Sequence, residues 1–501
     1  MNVSPDNSGT VKLNGFAATS YPSVSRISLY STVALEAIPA FGYTFSNWSG
    51  AVTGTTNPTS LYVDCDKTVT ATFTPKISKL YFSHVASQVG SSHEMWETEV
   101  CVINTGNQAL SGILRSYQNN GQAASSEKNI TLAAHGRWSR IVGEGEFPNP
   151  SEISYMVFES NSESIAGYTK FYIDKTYRAA IPAVKEVNTS DIYISHIASS
   201  ADWWTGVSLV NTTSATKELT ITFNNGQIVS YTLNANQHRA FDIAQEFFNN
   251  HPQPDIQSAV ITNASGVIGL ELFGSKGWGT QLEGILLTDK TTSTLYYPHV
   301  GGDGWWTGIV AYNPSASACT ITITPYSAEG TPLTPLTPPP IPGKGKYIGA
   351  VAALSLPAET AWFKIDSTSP ITGFELFGTV DGNQLAAYAG GGGTGAKAGV
   401  FAKIEKDGWT GIAFVNTEAN SASVTLTAYT DAGAVVATQV LPPVPGHAKV
   451  VDPAEAIFFP QDIGAATYIA YSSDKNVVGF QINGSLDWMM LDGLPALAGT
   501  N

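Results

Sequence analysis

The stretch DGWWTGIVAYN, residues 303–313, returns as DWWTGVSLVN at 202–211, as DGWTGIAFVN at 407–416 and, more distantly, as WETEVCVIN at 96–104. Each copy alternates, so its residues divide between two faces of a strand. One face carries Thr307, Ile309, Ala311 and Asn313, matched by Thr205, Val207, Leu209 and Asn211, by Thr410, Ile412, Phe414 and Asn416, and by Thr98, Val100, Val102 and Asn104. An apolar pair held between Thr and Asn predicts a core-facing edge, with the Asn turning the chain at its end. The other face opens with Trp204, Trp306 and Trp409, but with Glu97 in the first copy. An unpaired Glu does not suit a dry core, so this position is expected to be partly accessible. The residue before it is Trp96, Trp203, Trp305 and then Gly408.

Two further anchors confirm the repeat. Strands resembling GFELFG place equivalent glycines at Gly167, Gly269, Gly373 and Gly479, and a first strand reads LYFSHVA, IYISHIA, LYYPHVG and GVFAKIE. The spacing is a little over 100 residues throughout, which organises the chain as 1–78, 79–186, 187–291, 292–394 and 395–501. Roughly seven short strands per unit, with turn residues between them, predict antiparallel β-sandwiches. Short helical interruptions are expected at AFDIAQEFFNN, VAALSL and PAEAIFF. The fold class is therefore all-β, a small N-terminal module followed by four tandem sandwich-like repeats. The alternative is closure of the repeats as a β-propeller, and long joints such as AGGGGTGAKAG argue for separate domains.

The first unit is different. In residues 1–78 the order Ala37, Pro39, Gly42, Tyr43, Phe45, Trp48, Gly50, Asp64, Asp66, Lys67 and a closing TVTATF resembles the bacterial repeat module related to internalin B-repeats. That resemblance implies a compact, grasp-like β module from secreted or surface-anchored proteins. The four later units are similar to a β-rich repeat of secreted bacterial multidomain proteins, deltaproteobacterial in type, for which the resemblance implies no activity.

Composition narrows the function. With 43% hydrophobic and 13% charged residues and a net charge of −15, the chain suits packed β-structure and disfavours nucleic acid or anionic membranes. No apolar run is long enough to span a bilayer. The N-terminus lacks a signal-peptide pattern, and the composition and resemblance favour a secreted chain whose leader has been removed. Cys65, Cys101 and Cys319 lack metal or disulfide spacing and are expected to be small buried hydrophobes.

No GxSxG, HExxH or phosphate-binding loop is present, and SHEMWE, with His93 and Glu94, lacks a second histidine. Glu271 and Glu375 share their position with Thr169 and Gln481, which suggests a polar structural site, exposed or bonded to a neighbouring strand, rather than a catalytic acid. His84, His196 and His299, with Lys403 in the fourth unit, are expected to be structural imidazoles bonded to backbone. Asp64 with Asp66, and Asp381, Gly382 and Asn383, read as tight turns rather than calcium loops. The proline-rich PLTPLTPPPIPG, residues 332–343, reads as a stiff surface loop.

The candidate ligand-binding residues are Asp202 with Trp204, Asp303 with Trp306, and Asp407 with Trp409, each pair offering an indole face and a carboxylate to a sugar. No catalytic residue, metal or cofactor is expected. The reading is a non-enzymatic extracellular or cell-surface repeat protein, an adhesive stalk or interaction scaffold whose partner is a polysaccharide, extracellular matrix or another surface protein. The alternatives are a carbohydrate-binding array or the non-catalytic appendage of a secreted enzyme.

Overall fold

The computed structural model describes all residues except 41, 89–94, 126, 144, 174–176, 277–280, 383, 390, 393–394 and 500–501. His93, Glu94 and Asn383 therefore lie outside the described residues. The N-terminal module has two small sheets, one of Asn2–Ser4, Val69–Pro75 and Tyr43–Gly50, the other of Phe16–Ala17, Gly9–Leu13, Ser31–Pro39 and Thr59–Val63. Trp48 and Phe73 fill the space between them.

Four two-sheet sandwiches follow. In the first, Lys128–Leu132, Leu110–Tyr117, Tyr155–Ser160 and Ser78–Phe82 form one sheet; Arg137–Val142, Trp96–Asn104, Ile165–Ile173 and Tyr177–Pro182 form the other. The second repeats this order around the central strand Trp203–Asn211, the third around Trp305–Tyr312 and the fourth around Gly408–Asn416. Single long strands, Trp362–Thr379 and Tyr468–Ser485, serve both sheets of the third and fourth units. Helical turns occur at Ile243–Phe247, Val351–Leu354 and Ala454–Phe458. The proline-rich segment takes the place of an edge strand, touching its sheet through isolated bridges at Pro332, Leu336 and Ile341. Proline, which has no N–H to give a ladder, is tolerated at such an edge.

The apolar face of each motif strand lies in its own sandwich core: Val207, Leu209, Ile309, Ala311, Ile412 and Phe414 are all buried. Thr and Asn pin its two ends. Thr205 Oγ1 accepts from Ala198 N–H at 2.8 Å and donates to its carbonyl at 3.0 Å. Asn313 Nδ2 donates to the carbonyls of Ser317, Ile341 and Pro342 at 2.8, 3.2 and 3.1 Å, while its Oδ1 accepts from Ser315 N–H at 3.0 Å. Asn104, Asn211 and Asn416 make corresponding bonds and are equally buried. Asn313→Ala should cost about 2–4 kcal/mol in chemical denaturation, since it strands several buried main-chain groups worth about 1 kcal/mol or more each. A loss within about 0.5 kcal/mol would show that the turn holds without the amide.

The sandwiches are not beads on a string. Their last strands, Tyr177–Pro182, Leu282–Leu286, Leu385–Ala389 and Leu491–Pro495, meet in cyclic order, first with second, second with third, third with fourth and fourth with first. Small residues make this approach possible: a Cβ on Gly284 would lie 2.9 Å from Ile181, and one on Gly493 would collide with the Ala387 carbonyl. Each junction also has an apolar cluster, including Val157 with Ile268, Phe273 with Phe374, Phe377 with Phe480, and Ile103 with Tyr468. The expected tandem sandwiches are present, and they close into a ring. The glycine-rich joint does not hold the third and fourth units apart, because Leu385–Ala389 and Leu491–Pro495 meet directly.

Candidate functional site

The second face of the motif strand is buried against the preceding unit, as Val210 against Val157, Val310 against Phe273 and Val415 against Trp362. Gly206, Gly308 and Gly411 lie beneath the indoles of Trp204, Trp306 and Trp409, and Gly274, Gly378 and Gly484 on the paired strand complete each bed. A Cβ on Gly274 would stand 2.9 Å from Trp204 Nε1. The glycines of WTG and of the closing FG are thus explained by close approach of a ring. All three tryptophans are half-buried, while Asp202, Asp303 and Asp407 are exposed.

The two tryptophan positions meet across unit boundaries. Trp96 of the first unit touches Trp204 of the second edge to face, with centroids 6.5 Å apart. Trp203 and Trp306 line a cleft of about 320 Å³ between the second and third units, and Trp305 and Trp409 line one of about 420 Å³ between the third and fourth. Asp202, Asp303 and Asp407 line neither cleft. At the fourth boundary the same two positions are Gly408 and Glu97, so the two departures from the motif fall at one junction.

That junction is built from charge. Lys170, fully buried, gives 2.9 and 2.7 Å ion pairs to Glu405 and Asp492. Arg178 pairs with Asp492 at 2.7 Å and donates to the Asn483 carbonyl at 2.6 Å. Lys403 pairs with Glu99 at 2.8 Å, and Glu99 also accepts from Tyr168, Tyr172 and Ser139 at 2.5, 3.1 and 2.6 Å. Burial opposes ionisation of Glu405, but Lys170, Lys403 and Arg178 outweigh it and pull its carboxyl down to about 2. Glu99 is likewise held well below the usual range, its burial overcome by Lys403, Lys170 and Arg137. The motif did not reveal this network, because its partners lie more than 200 residues apart; the signal available was Lys170 in a position that is Leu272, Leu376 and Ile482 elsewhere.

The recurrent histidines do not bond to backbone as the sequence suggested. Each faces a basic side chain of the next unit: His84 Nδ1 meets His238 at 3.1 Å, His196 Nδ1 meets Lys346 Nζ at 2.9 Å, and His299 Nδ1 meets Lys449 Nζ at 2.6 Å. Burial, with the lysine beside it, pushes His196 and His299 down to about 3, so both imidazoles are neutral. Burial also lowers Lys346 and Lys449 to about 8. Behind them Glu271 and Glu375 are fully buried, and burial pushes both carboxyls well above the usual range. Their counterpart Gln481 accepts from Lys403 N–H at 3.3 Å and donates to the Lys403 carbonyl at 2.7 Å. A protonated Glu carries the same donor and acceptor as this amide, but the carboxyl oxygens of Glu271 and Glu375 have no hydrogen-bond partner among the described residues, so the link is made only in the fourth unit.

Cys101 and Cys319 are buried as expected, but Cys65 is exposed, because it lies on the turn after Thr59–Val63 rather than on a core strand. Asp64 in that turn pairs with Lys67 at 2.5 Å. Among the described residues no group of three or more His, Cys, Asp or Glu converges as a metal site, and no helix is long and apolar enough to cross a membrane.

Residues 2–77 match the Divergent InlB B-repeat domain. The B-repeat module thus covers the first unit and stops where the sandwiches begin. No curated protein matches the chain. Solved structures with some similarity include a 1.5-MDa bacterial ice-binding adhesin, 10% identical over 67% of this chain and 90% of that one with a TM-score of 0.10. Another is SGBP-B of the Bacteroides ovatus mixed-linkage glucan utilization locus, in complex with a mixed-linkage heptasaccharide, 12% identical over 73% and 89% with a TM-score of 0.11. Scores this low leave fold and ligand to be argued from the chain's own residues.

Proposed function

We propose that the chain is a non-catalytic repeat protein of the cell surface or extracellular space, acting as an interaction scaffold. The observation that carries this reading is the use made of its buried ionisable groups. Glu99, Lys170, Arg178, Lys403, Glu405 and Asp492 are consumed by one another at a single junction, and Glu271 and Glu375 sit behind the histidines of two others. The ion-paired carboxylates among them, Glu99, Glu405 and Asp492, join the first unit to the last. The B-repeat module at the front supports a surface or secreted setting. A ring whose first and last units touch favours a scaffold over an extended stalk, which needs ends that face apart.

The test is a binding screen of the intact chain, immobilised, against polysaccharides, matrix proteins and surface proteins, with each captured polymer checked for cleavage. Retention of at least one partner without its turnover is expected. Release of reducing ends or acyl groups by the chain would overturn the non-catalytic reading, and failure to retain any partner would overturn the scaffold.

A further inference from the structure

We infer that the clefts between the second and third and between the third and fourth units are equivalent sites for a pyranose ring of a neutral polysaccharide, stacked on paired indoles and held by an imidazole N–H. This inference rests on the scaffold reading and names the ligand class.

The two clefts use the same positions. Each has an indole from the earlier unit, Trp203 or Trp305, an indole from the later unit, Trp306 or Trp409, and a histidine, His196 or His299. Their volumes, about 320 and 420 Å³, suit a small ring ligand. The histidine supplies the specific contact. A lysine ammonium has no acceptor, so Lys346 and Lys449 donate to Nδ1, and a neutral imidazole must then carry its proton on Nε2. Neither Nε2–H has a hydrogen-bond partner among the described residues. An acyl chain or other purely apolar occupant would leave these donors unpaired, whereas a sugar offers a C–H face to the indoles and hydroxyl oxygens to the donors.

Charge selects a neutral glycan. No Lys or Arg lines either cleft, Asp452 lies at the third-to-fourth one, and the chain carries a net charge of −15. The other junctions are built differently. Trp96 and Trp204 are in ring contact with each other, with His238 in place of the lysine, and the charged junction has neither indole.

The experiment uses the intact chain, with titration calorimetry and tryptophan fluorescence against soluble neutral polysaccharides (β-glucan, galactomannan, xylan, starch), polygalacturonate, fatty acid and proline-rich peptide. Trp306→Ala, Trp409→Ala, their double variant and Trp204→Ala are measured alongside, with Trp→Phe versions wherever an alanine variant melts early. The expected result is binding of a neutral polysaccharide, about tenfold or more weaker in each single cleft variant because avidity is lost, abolished in the double, and unchanged in Trp204→Ala. Unchanged binding in the double variant, or preference for the anionic glycan, fatty acid or peptide, would overturn the inference while leaving the scaffold intact. Failure of every neutral polysaccharide would also overturn it; the scaffold would fall only if the protein partners of the wider screen were not retained either.

Discussion

Lys170→Met is expected to destabilise the protein by about 3–5 kcal/mol and to loosen the contact between its first and last units, because it leaves Glu405 and Asp492 buried beside each other with a cation removed. Both carboxylates lie within 3 Å of the ammonium, at 2.9 and 2.7 Å, and Lys170 and Asp492 are fully buried. Arg178 remains, but it is already shared between Asp492 at 2.7 Å, Glu405 at 3.5 Å and the Asn483 carbonyl, so it compensates only in part. The comparison is a joint replacement, Lys170→Leu, Arg178→Leu, Glu405→Ala and Asp492→Ala, which removes both signs together. A buried ion pair exchanged for apolar groups is often close to neutral in stability, so this variant should melt nearer to the parent than the single substitution does. Denaturant unfolding measures both, and proteolysis at the junction reports its opening. If Lys170→Met cost less than about 1 kcal/mol, the network would be solvated and the junction held by its apolar cluster alone.

The second large effect has the opposite sign. Glu271→Gln and Glu375→Gln should stabilise the protein at pH 7 by up to about 3 kcal/mol each. Burial raises both folded-state pKa values above the unfolded value of 4.5, so their favourable contribution is complete below 4.5 and is lost as pH rises. One pH unit is worth about 1.4 kcal/mol. Glutamine keeps the donor and acceptor without the ionisation, and Gln481 already occupies this position in the fourth unit. Denaturant unfolding should show the gain at pH 7 and little difference at pH 4. Destabilisation at pH 7 would mean that the parent carboxylates are ionised and paired.

Other groups respond to acid in the reverse direction. His196 and His299, lowered by burial to about 3, and Glu405, brought to about 2 by its cations, stabilise the fold above their unfolded values of 6.5 and 4.5. That stability is lost progressively as pH falls. Acid should therefore weaken the histidine–lysine junctions first, below about 6.5, and the charged junction below about 4.5.

Much of this architecture was legible because a strand's period of two assigns residues to faces without reference to anything distant. Thr307, Ile309, Ala311 and Asn313 could be placed on one edge from their alternation, and the B-repeat module could be recognised from the order of its aromatic, glycine and acidic residues. Gly274, Gly378 and Gly484 were visible as letters but not as beds, since the indole each one carries lies on a paired strand about 70 residues away.

What the sequence by itself determined was the number of repeats, the strand faces and the polar pins at the ends of each motif strand, all of which follow from local periodicity and hydrogen-bonding capacity. Only the tertiary structure decided what the second face meets. An apolar face reads the same in a lone sandwich, a rod or a ring, and Glu97 and Gly408, over 300 residues apart, looked like unrelated lapses in the motif. Ring closure brings their positions together at the junction where Lys170, Arg178, Glu405 and Asp492 replace indoles with charge, because the first and last units have only each other to pair with.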